Sequence, residues 1–150
     1  MIFICDVMLG KLAKYLRILG LNTIYIRNNT MLEDCKKQGD LSCLLTKRKK
    51  ITGYKKCIVI KSDTARGQLE EIRYLISPFI NSENALTRCI VCNVELIKVE
   101  KTDIEQYIPE FVFHHYEAFK ACPSCKKIYW KGSHAEHMSE LIEGIINTRL

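Results

Sequence analysis

The sequence predicts an α/β fold in which a parallel sheet lies between two layers of helix, followed by a small β-rich unit organised by cysteines. Short apolar runs alternate with stretches of helical period over residues 1–76, the grammar of a three-layer parallel sheet. Pro78 and the polar run 81–84 then interrupt that grammar. Beyond them come two Cys-x-x-Cys pairs and short β-prone segments. The expected divisions are residues 1–84 for the α/β domain, 85–138 for a four-cysteine ribbon and 139–150 for a C-terminal helix or tail.

Residues 2–6 are apolar and β-prone until Asp6, as in a buried parallel strand that delivers a carboxylate at its C-terminal end. Residues 8–19 place Met8, Leu9, Leu12, Ala13, Leu16 and Leu19 on one stripe and Lys11, Lys14 and Arg17 on another. That spacing predicts a helix, with Gly20 as its C-terminal cap. Residues 23–26 read as a second strand, 32–38 as a short polar helix ending near Gly39, and 42–46 as a third strand. After a basic connection, 57–61 make a fourth strand and 65–76 a helix with Leu69, Ile72, Leu75 and Ile76 inward. In the second half, 94–99 and 128–130 are β-like, joined through a linker that contains Pro109 and the apolar residues 111–113. The tail 139–150 reads as an amphipathic helix through Leu141, Ile142, Ile145 and Ile146.

Composition narrows the class. The chain has 150 residues, 47% of them hydrophobic, with a mean hydropathy of -0.07, which excludes long disorder, collagen-like repeats and a membrane-spanning architecture. No basic start and long apolar centre precede residue 6, so a cytoplasmic chain is expected. The net charge is +6, but it is unevenly spread: residues 1–86 carry 15 Lys and Arg against 8 Asp and Glu, whereas residues 87–150 carry 8 against 9.

Of eight cysteines, Cys5, Cys35, Cys43 and Cys57 are scattered singly. Cys89, Cys92, Cys122 and Cys125 form the two pairs, and two thiolates on each of two tight turns make a closed tetrahedral site for structural Zn2+. Two disulfides or a redox pair are the alternative. The 29 residues between Cys92 and Cys122 require a hairpin and an extra loop between the turns. His114, His115, His134 and His137 are possible substitute ligands, although four thiolates already complete the shell.

In an open parallel sheet the binding crevice lies beyond the carboxyl ends of the strands. Asp6 and Asp63 are expected there, with Glu33 or Asp34 facing the same rim, and such carboxylates can hold Mg2+ or Mn2+ with a substrate phosphate completing the shell. Each of Asp6 and Asp63 also precedes a helix, where Asp is a favoured N-cap. Lys47, Arg48, Lys49 and Lys50, followed by Lys55 and Lys56, place six cations within ten residues. Together with Lys11, Lys14 and Arg17 they outline a phosphate-binding face, so RNA is the expected partner.

The segments 6–20, 44–46, 61–63 with Gln68 and Leu69, 88–93, and 122–134 together resemble the Mut-seven C-terminal RNase domain family, a PIN-like nuclease fold with a C-terminal zinc ribbon. The resemblance implies a metal-dependent ribonuclease in which acids at strand ends bind divalent ions and activate water. On that pattern Asp6 is the first-strand acid and Asp63 the acid after the fourth strand. The pattern's Thr-x-Asp is Thr46-Lys47-Arg48 here, and its aspartate-rich turn is Arg27-Asn28-Asn29-Thr30, which leaves Glu33 or Asp34 as substitutes. A weakened ribonuclease is the expected function, with a catalytically inactive RNA-binding or ribosome-associated module of the same fold as the alternative. A third reading has the ribbon dock a protein partner through Tyr129, Trp130 and His134.

Overall fold

In the computed structural model β1 (Ile2–Cys5) pairs in parallel with β2 (Thr23–Tyr25) on one side and with β3 (Ser42–Thr46) on the other. Strand β4 (Cys57–Val59) lies outside β3, giving the order β2-β1-β3-β4. The structure describes residues 1–132 together with 136, 139, 140, 143, 144 and 147. Side chains alternate across a strand, and here the alternation makes two cores. Phe3, Cys5, Cys43 and Leu45 meet Leu12 and Leu16 of α1 (Gly10–Ile18) and Leu69 and Ile72 of α3 (Ala65–Ile76). Ile4 and Leu44 face the opposite way, onto Leu32 and Cys35 of α2 (Asn29–Cys35). The three-layer α/β expectation is therefore met.

Local differences from the sequence reading have identifiable causes. The helix expected from residue 8 begins as a 3-10 turn, Val7–Leu9, because Asp6 caps it. The helix expected over 32–38 starts earlier, since the Asn28 side chain accepts the Met31 N–H at 2.9 Å and caps α2. It also gives way early to 3-10 turns over Lys36–Leu41, which are broken at Gly39 with φ 60°. The fourth strand stops at Val59, and the next free backbone donors, on Lys61 and Ser62, go to the Glu71 carboxylate at 2.9 and 2.5 Å. Gly20 ends α1 with φ +80°, and a Cβ there would lie 1.9 Å from the Asn84 carbonyl oxygen. Glycine is thus required twice over, by backbone conformation and by close approach.

A second, antiparallel sheet consists of β5 (Ile97–Val99), β6 (Phe119–Ala121) and β7 (Ile128–Trp130), in that order. The linker around Pro109 folds into α4 (Lys101–Ile104) and α5 (Glu110–His115), which bury Ile104, Ile108 and Val112 against Phe119 and Trp130. The described residues between 136 and 147 are helical. Leu141, Ile142, Ile145 and Ile146, the expected apolar stripe of the tail, lie outside the described residues. No helix among the described residues is long and apolar enough to cross a membrane.

The two sheets are tied by specific polar contacts. Arg17, only 7% exposed, donates to the carbonyls of Thr23 (3.0 Å), Ile90 (2.7 Å) and Val91 (3.0 Å). The Asn93 side chain accepts the Thr23 N–H at 2.9 Å and donates to Asn22 at 2.7 Å, while Arg88 reaches the Gly20 carbonyl at 3.2 Å. Arg17 therefore fastens the ribbon to α1. Its expected place on an RNA-binding face is corrected, because the side chain is buried and its donors are committed to these carbonyls.

Candidate functional site

After β1 the chain crosses to β2 on one flank and then returns past β1 to β3 on the other. The connections leaving β1 and β3 thus diverge, opening the crevice that such sheets use for ligands. The Asp6 N–H donates to the Leu45 carbonyl at 3.0 Å, so the residue just past β1 is held against β3. Thr46, at the end of β3, and Lys47 and Arg48 just beyond it stand at the same mouth.

Asp6 is 1% exposed and fully engaged. Its Oδ1 accepts from the Val7 N–H at 2.7 Å and from Arg48 Nη2 at 3.1 Å. Its Oδ2 accepts from the Thr46 hydroxyl at 2.7 Å and lies 2.9 Å from Arg48 Nε. A carboxylate offers about four lone-pair directions; three accept hydrogen bonds here, and the Arg48 Nε adds an ion-pair contact. Thr46 also receives the Arg48 N–H at 3.0 Å, and Asn29 accepts from Arg48 Nη1 at 3.3 Å. The Thr-x-Arg turn thus folds its guanidinium back over the first-strand acid as a two-pronged ion pair.

Asp63 behaves differently. Thr64, rather than Asp63, caps α3 by accepting the Gly67 N–H at 3.1 Å. That leaves the Asp63 carboxylate 94% exposed and paired with Lys47, whose ammonium also donates to the Ser62 carbonyl at 3.0 Å. The hydrogen bond from Lys47, reinforced by its charge, holds the Asp63 carboxyl below its ordinary range. Glu33 pairs with Lys36 at 2.7 Å and Asp34 with Lys37 at 3.1 Å, both one turn along the same helical segment and exposed. Among the described residues, no three of Asp6, Glu33, Asp34 and Asp63 gather closely enough to share an ion. In this arrangement the acids form no ready Mg2+ or Mn2+ site: Asp6 is held by Arg48, Thr46 and the Val7 N–H, and Asp63 by Lys47.

The basic residues divide sharply. Lys49 and Lys50 are exposed beside Arg48, and Lys11 and Lys14 are exposed on α1. Lys55 is already engaged with Asp40 at 2.6 Å.

The cysteine cluster has the opposite character. The Sγ atoms of Cys89, Cys92, Cys122 and Cys125 all lie within 4.8 Å of one another. Cys89 and Cys125 are 3.7 Å apart, close to the edge of about 3.8 Å that a tetrahedron of ~2.3 Å zinc–sulfur bonds requires. None of the eight cysteines forms a disulfide in this structure.

Each pair folds as the same knuckle. The fourth residue donates its N–H to the first sulfur, Cys92 to Cys89 at 3.3 Å and Cys125 to Cys122 at 3.4 Å. The next residue, Asn93 (φ 65°) or Lys126 (φ 66°), turns left-handed and donates to the carbonyl of that first cysteine at 2.9 Å. Burial raises the Cys89 thiol, but the Tyr129 hydroxyl 3.1 Å from its sulfur and the N–H groups of Cys92 and Val91 outweigh it and bring the value down to about 6. Such a thiol is ready to bind a metal as thiolate. Cys92 in the same cluster moves the other way, pushed up to about 11 by its hydrogen bond with Cys125 and by burial, and Cys5, outside the cluster, is pushed up to about 12 by burial.

His114 and His115 stay on α5, where His115 Nδ1 is 2.8 Å from the Phe111 carbonyl oxygen and its ring stacks on Phe111. No described histidine joins the cysteine cluster. His134 and His137 lie outside the described residues. Tyr129 supports Cys89, and Trp130 packs near Phe119 with ring centres 6.4 Å apart. Sequence reasoning missed three of these roles: Thr46 as the second anchor of Asp6, Asn29 as a brace on Arg48, and Asn93 as both knuckle and joint. The left-handed position after a Cys-x-x-Cys turn favours Asn, and that is the signal by which Asn93 was findable.

Compared with known families, residues 1–142 match the model of the Mut7-C RNAse domain. No curated protein and no solved structure matches the chain.

Proposed function

Because the chain belongs to the Mut7-C RNAse domain family, a family of nuclease and RNA-related function, we propose that it binds RNA through the crevice at the ends of β1 and β3 and that the crevice holds phosphate with its own cations. The observation that carries this reading is the Arg48–Asp6 pair. The Arg48 side chain is 40% exposed, and although three of its five N–H groups face Asp6 and Asn29, the other two and the permanent charge are left for a phosphodiester arriving at the mouth. Lys49 and Lys50 extend the positive edge, and Lys11 and Lys14 broaden it. Asp6 then serves as the anchor that orients the guanidinium.

Phosphodiester hydrolysis by two metal ions needs carboxylates free to clamp them. Asp6 is occupied and Asp63 is engaged by Lys47, so cleavage is expected to be absent from the wild-type chain. Four thiolates around one ion leave no position for water, and Zn2+ at the cysteines would therefore hold structure only.

One observation favours slow hydrolysis as a second reading. Arg48 and Asp63 are both solvent-accessible, so a substrate phosphate can draw Arg48 off Asp6 and release a carboxylate for an ion.

The test pairs binding and cleavage on single-stranded and structured RNA with Mg2+, Mn2+ or EDTA. Wild-type affinity should fall steeply with salt, and replacing Lys49 and Lys50 by Ala should flatten the salt slope by roughly one unit per lost contact. Metal-dependent cutting by the wild type that Asp6→Asn abolishes would overturn the binding reading in favour of the slow nuclease.

A further inference from the structure

The carbonyls of Ile90 and Val91, to which Arg17 Nη1 donates at 2.7 and 3.0 Å, belong to the two peptide groups inside the first Cys-x-x-Cys turn. Those same two groups carry the N–H of Val91 and the N–H of Cys92. Both N–H groups donate to the Cys89 sulfur, the Cys92 N–H at 3.3 Å. A trans peptide points its N–H and its C=O in opposite directions. Each group is therefore a bridge, with the sulfur at one end and the guanidinium at the other. Hydrogen bonds in such a chain polarise and strengthen one another. The guanidinium draws electron density onto both carbonyl oxygens and makes both N–H groups better donors to the sulfur.

Charge points the same way. Arg17 is 7% exposed, and no carboxylate pairs with it among the described residues. A buried cation without a counter-charge is unfavourable. Four thiolates outweigh the charge of Zn2+, so a loaded cluster is anionic and answers Arg17 through the two bridges. The other contacts of the joint bypass them: Arg88 reaches the Gly20 and Asn93 carbonyls and the Glu95 carboxylate, and Asn93 reaches Thr23 and Asn22. On its far side Arg17 Nε holds the Thr23 carbonyl at 3.0 Å, where β2 begins its pairing with β1.

We infer that Arg17 is a positioning residue for the metal of the ribbon. Through the two peptide bridges it strengthens the N–H bonds that orient Cys89 as a ligand, and it couples metal occupancy to the docking of the ribbon on α1 and β2. The inference rests on the reading of the four cysteines as a Zn2+ site and is independent of RNA binding. Coupling of this kind is reciprocal: whatever docking adds to metal affinity, the metal adds to docking.

The experiment titrates the full-length, zinc-loaded protein with a chromophoric zinc chelator and records the sulfur-to-metal charge-transfer band of its Co2+ form. Removing an outer partner of a metal ligand typically costs roughly 10–100-fold in affinity, so Arg17→Met should weaken Zn2+ about tenfold. Its Co2+ band should move to lower energy, because a thiolate that accepts weaker hydrogen bonds gives up electron density more readily. Arg17→Lys keeps the charge without the planar fork and should fall between Arg17→Met and the wild type; it carries the test alone if Arg17→Met does not fold. Arg88→Met loosens the joint but spares the bridges, so it should lower the melting temperature and leave the band in place. In the reciprocal measurement, chelating Zn2+ from the wild type should strip hydrogen-exchange protection from the Thr23 amide, which the Asn93 side chain accepts. Zn2+ affinity and a Co2+ band that match the wild type in the Arg17 variants overturn the inference and leave Arg17 as a joint only. Equal band shifts in Arg17→Met and Arg88→Met overturn it too, since loss of docking would then be acting on the metal. So does a Thr23 amide that stays protected without Zn2+. A wild type that takes up no Zn2+ overturns it together with the metal reading of the cysteines.

Discussion

Two places in this molecule bring four polar contacts to a point, and they are filled in opposite ways. At the ribbon, four sulfurs lie within 4.8 Å of one another, a donor set suited to a metal ion, and the nearby Arg17 spends its donors on the Ile90 and Val91 carbonyls and not on a sulfur. At the crevice, four donor–acceptor contacts also converge, but they converge on Asp6, and two of them come from Arg48. The chain supplies the cation itself. The position of a carboxylate relative to a strand end is therefore a poor guide to metal binding until the neighbour that answers its charge is known.

The largest effect expected from breaking this comparison is removal of the ribbon's ion. Structural zinc contributes on the order of 10–16 kcal/mol to small domains at neutral pH, far more than the hydrophobic cluster of Ile104, Val112, Phe119 and Trp130 can replace. Chelation of the purified protein, or Cys122→Ser, should abolish the cooperative melting of the ribbon and shift Trp130 emission to the red. One bound zinc per chain by elemental analysis, lost in Cys122→Ser, is the matching stoichiometry. A ribbon that melts unchanged without metal would show that packing alone suffices.

The second experiment makes the crevice resemble the ribbon. In Arg48→Asp the guanidinium is replaced by a carboxylate, and Asp6 loses its counter-charge. Breaking a buried ion pair costs about 3–5 kcal/mol. Because Arg48 is partly exposed and water can enter, roughly 2 kcal/mol is the appropriate scale. The sharper signature is rescue: Mn2+ should raise the melting temperature of Arg48→Asp and leave the wild type unmoved, since only a ligand that binds the folded site stabilises it. Equal response of both proteins to Mn2+ would mean that Arg48 does not exclude the ion.

Much of this contrast was readable in the sequence, though unequally. The cysteine cluster was legible because the chemistry is local: Cys-x-x-Cys fixes two ligands on one turn, and a pair of such turns has few other uses. The order of strands and helices was legible because period-two and helical patterns survive in short apolar runs such as 42–46 and 65–76, the elements whose bounds coincide with β3 and α3. Arg17 defeated the same approach. A cation on the polar stripe of an amphipathic helix looks solvent-facing, and only the docking of a second unit on that stripe turns it into a buried joint. Glu33 and Asp34 are similar, since helix period places them near a rim but their partners Lys36 and Lys37 lie only one turn away. Asp63 was open to two uses, and Thr64 decided between them by taking the cap. Long-range pairing is what a single sequence hides.

The smallest expected effect concerns the other half of the acid rim. Lys47 holds Asp63 by hydrogen bond and charge, and both lower the carboxyl's value in the folded state. A group whose folded value is depressed contributes stability above its unfolded value and loses it as pH falls through the folded one. Lys47→Ala should therefore leave stability at neutral pH nearly untouched, because the pair is exposed and screened. Its imprint should be confined to acid, where the Asp63 carboxyl resonance returns toward its ordinary value of 3.8 in an NMR titration. Adding 0.5 M salt to the wild type should move the resonance part of the way in the same direction. If Asp63 titrates identically with and without Lys47, the two residues are neighbours without coupling. The crevice then carries one neutralised acid and one unanswered one, which is the arrangement the slow nuclease needs.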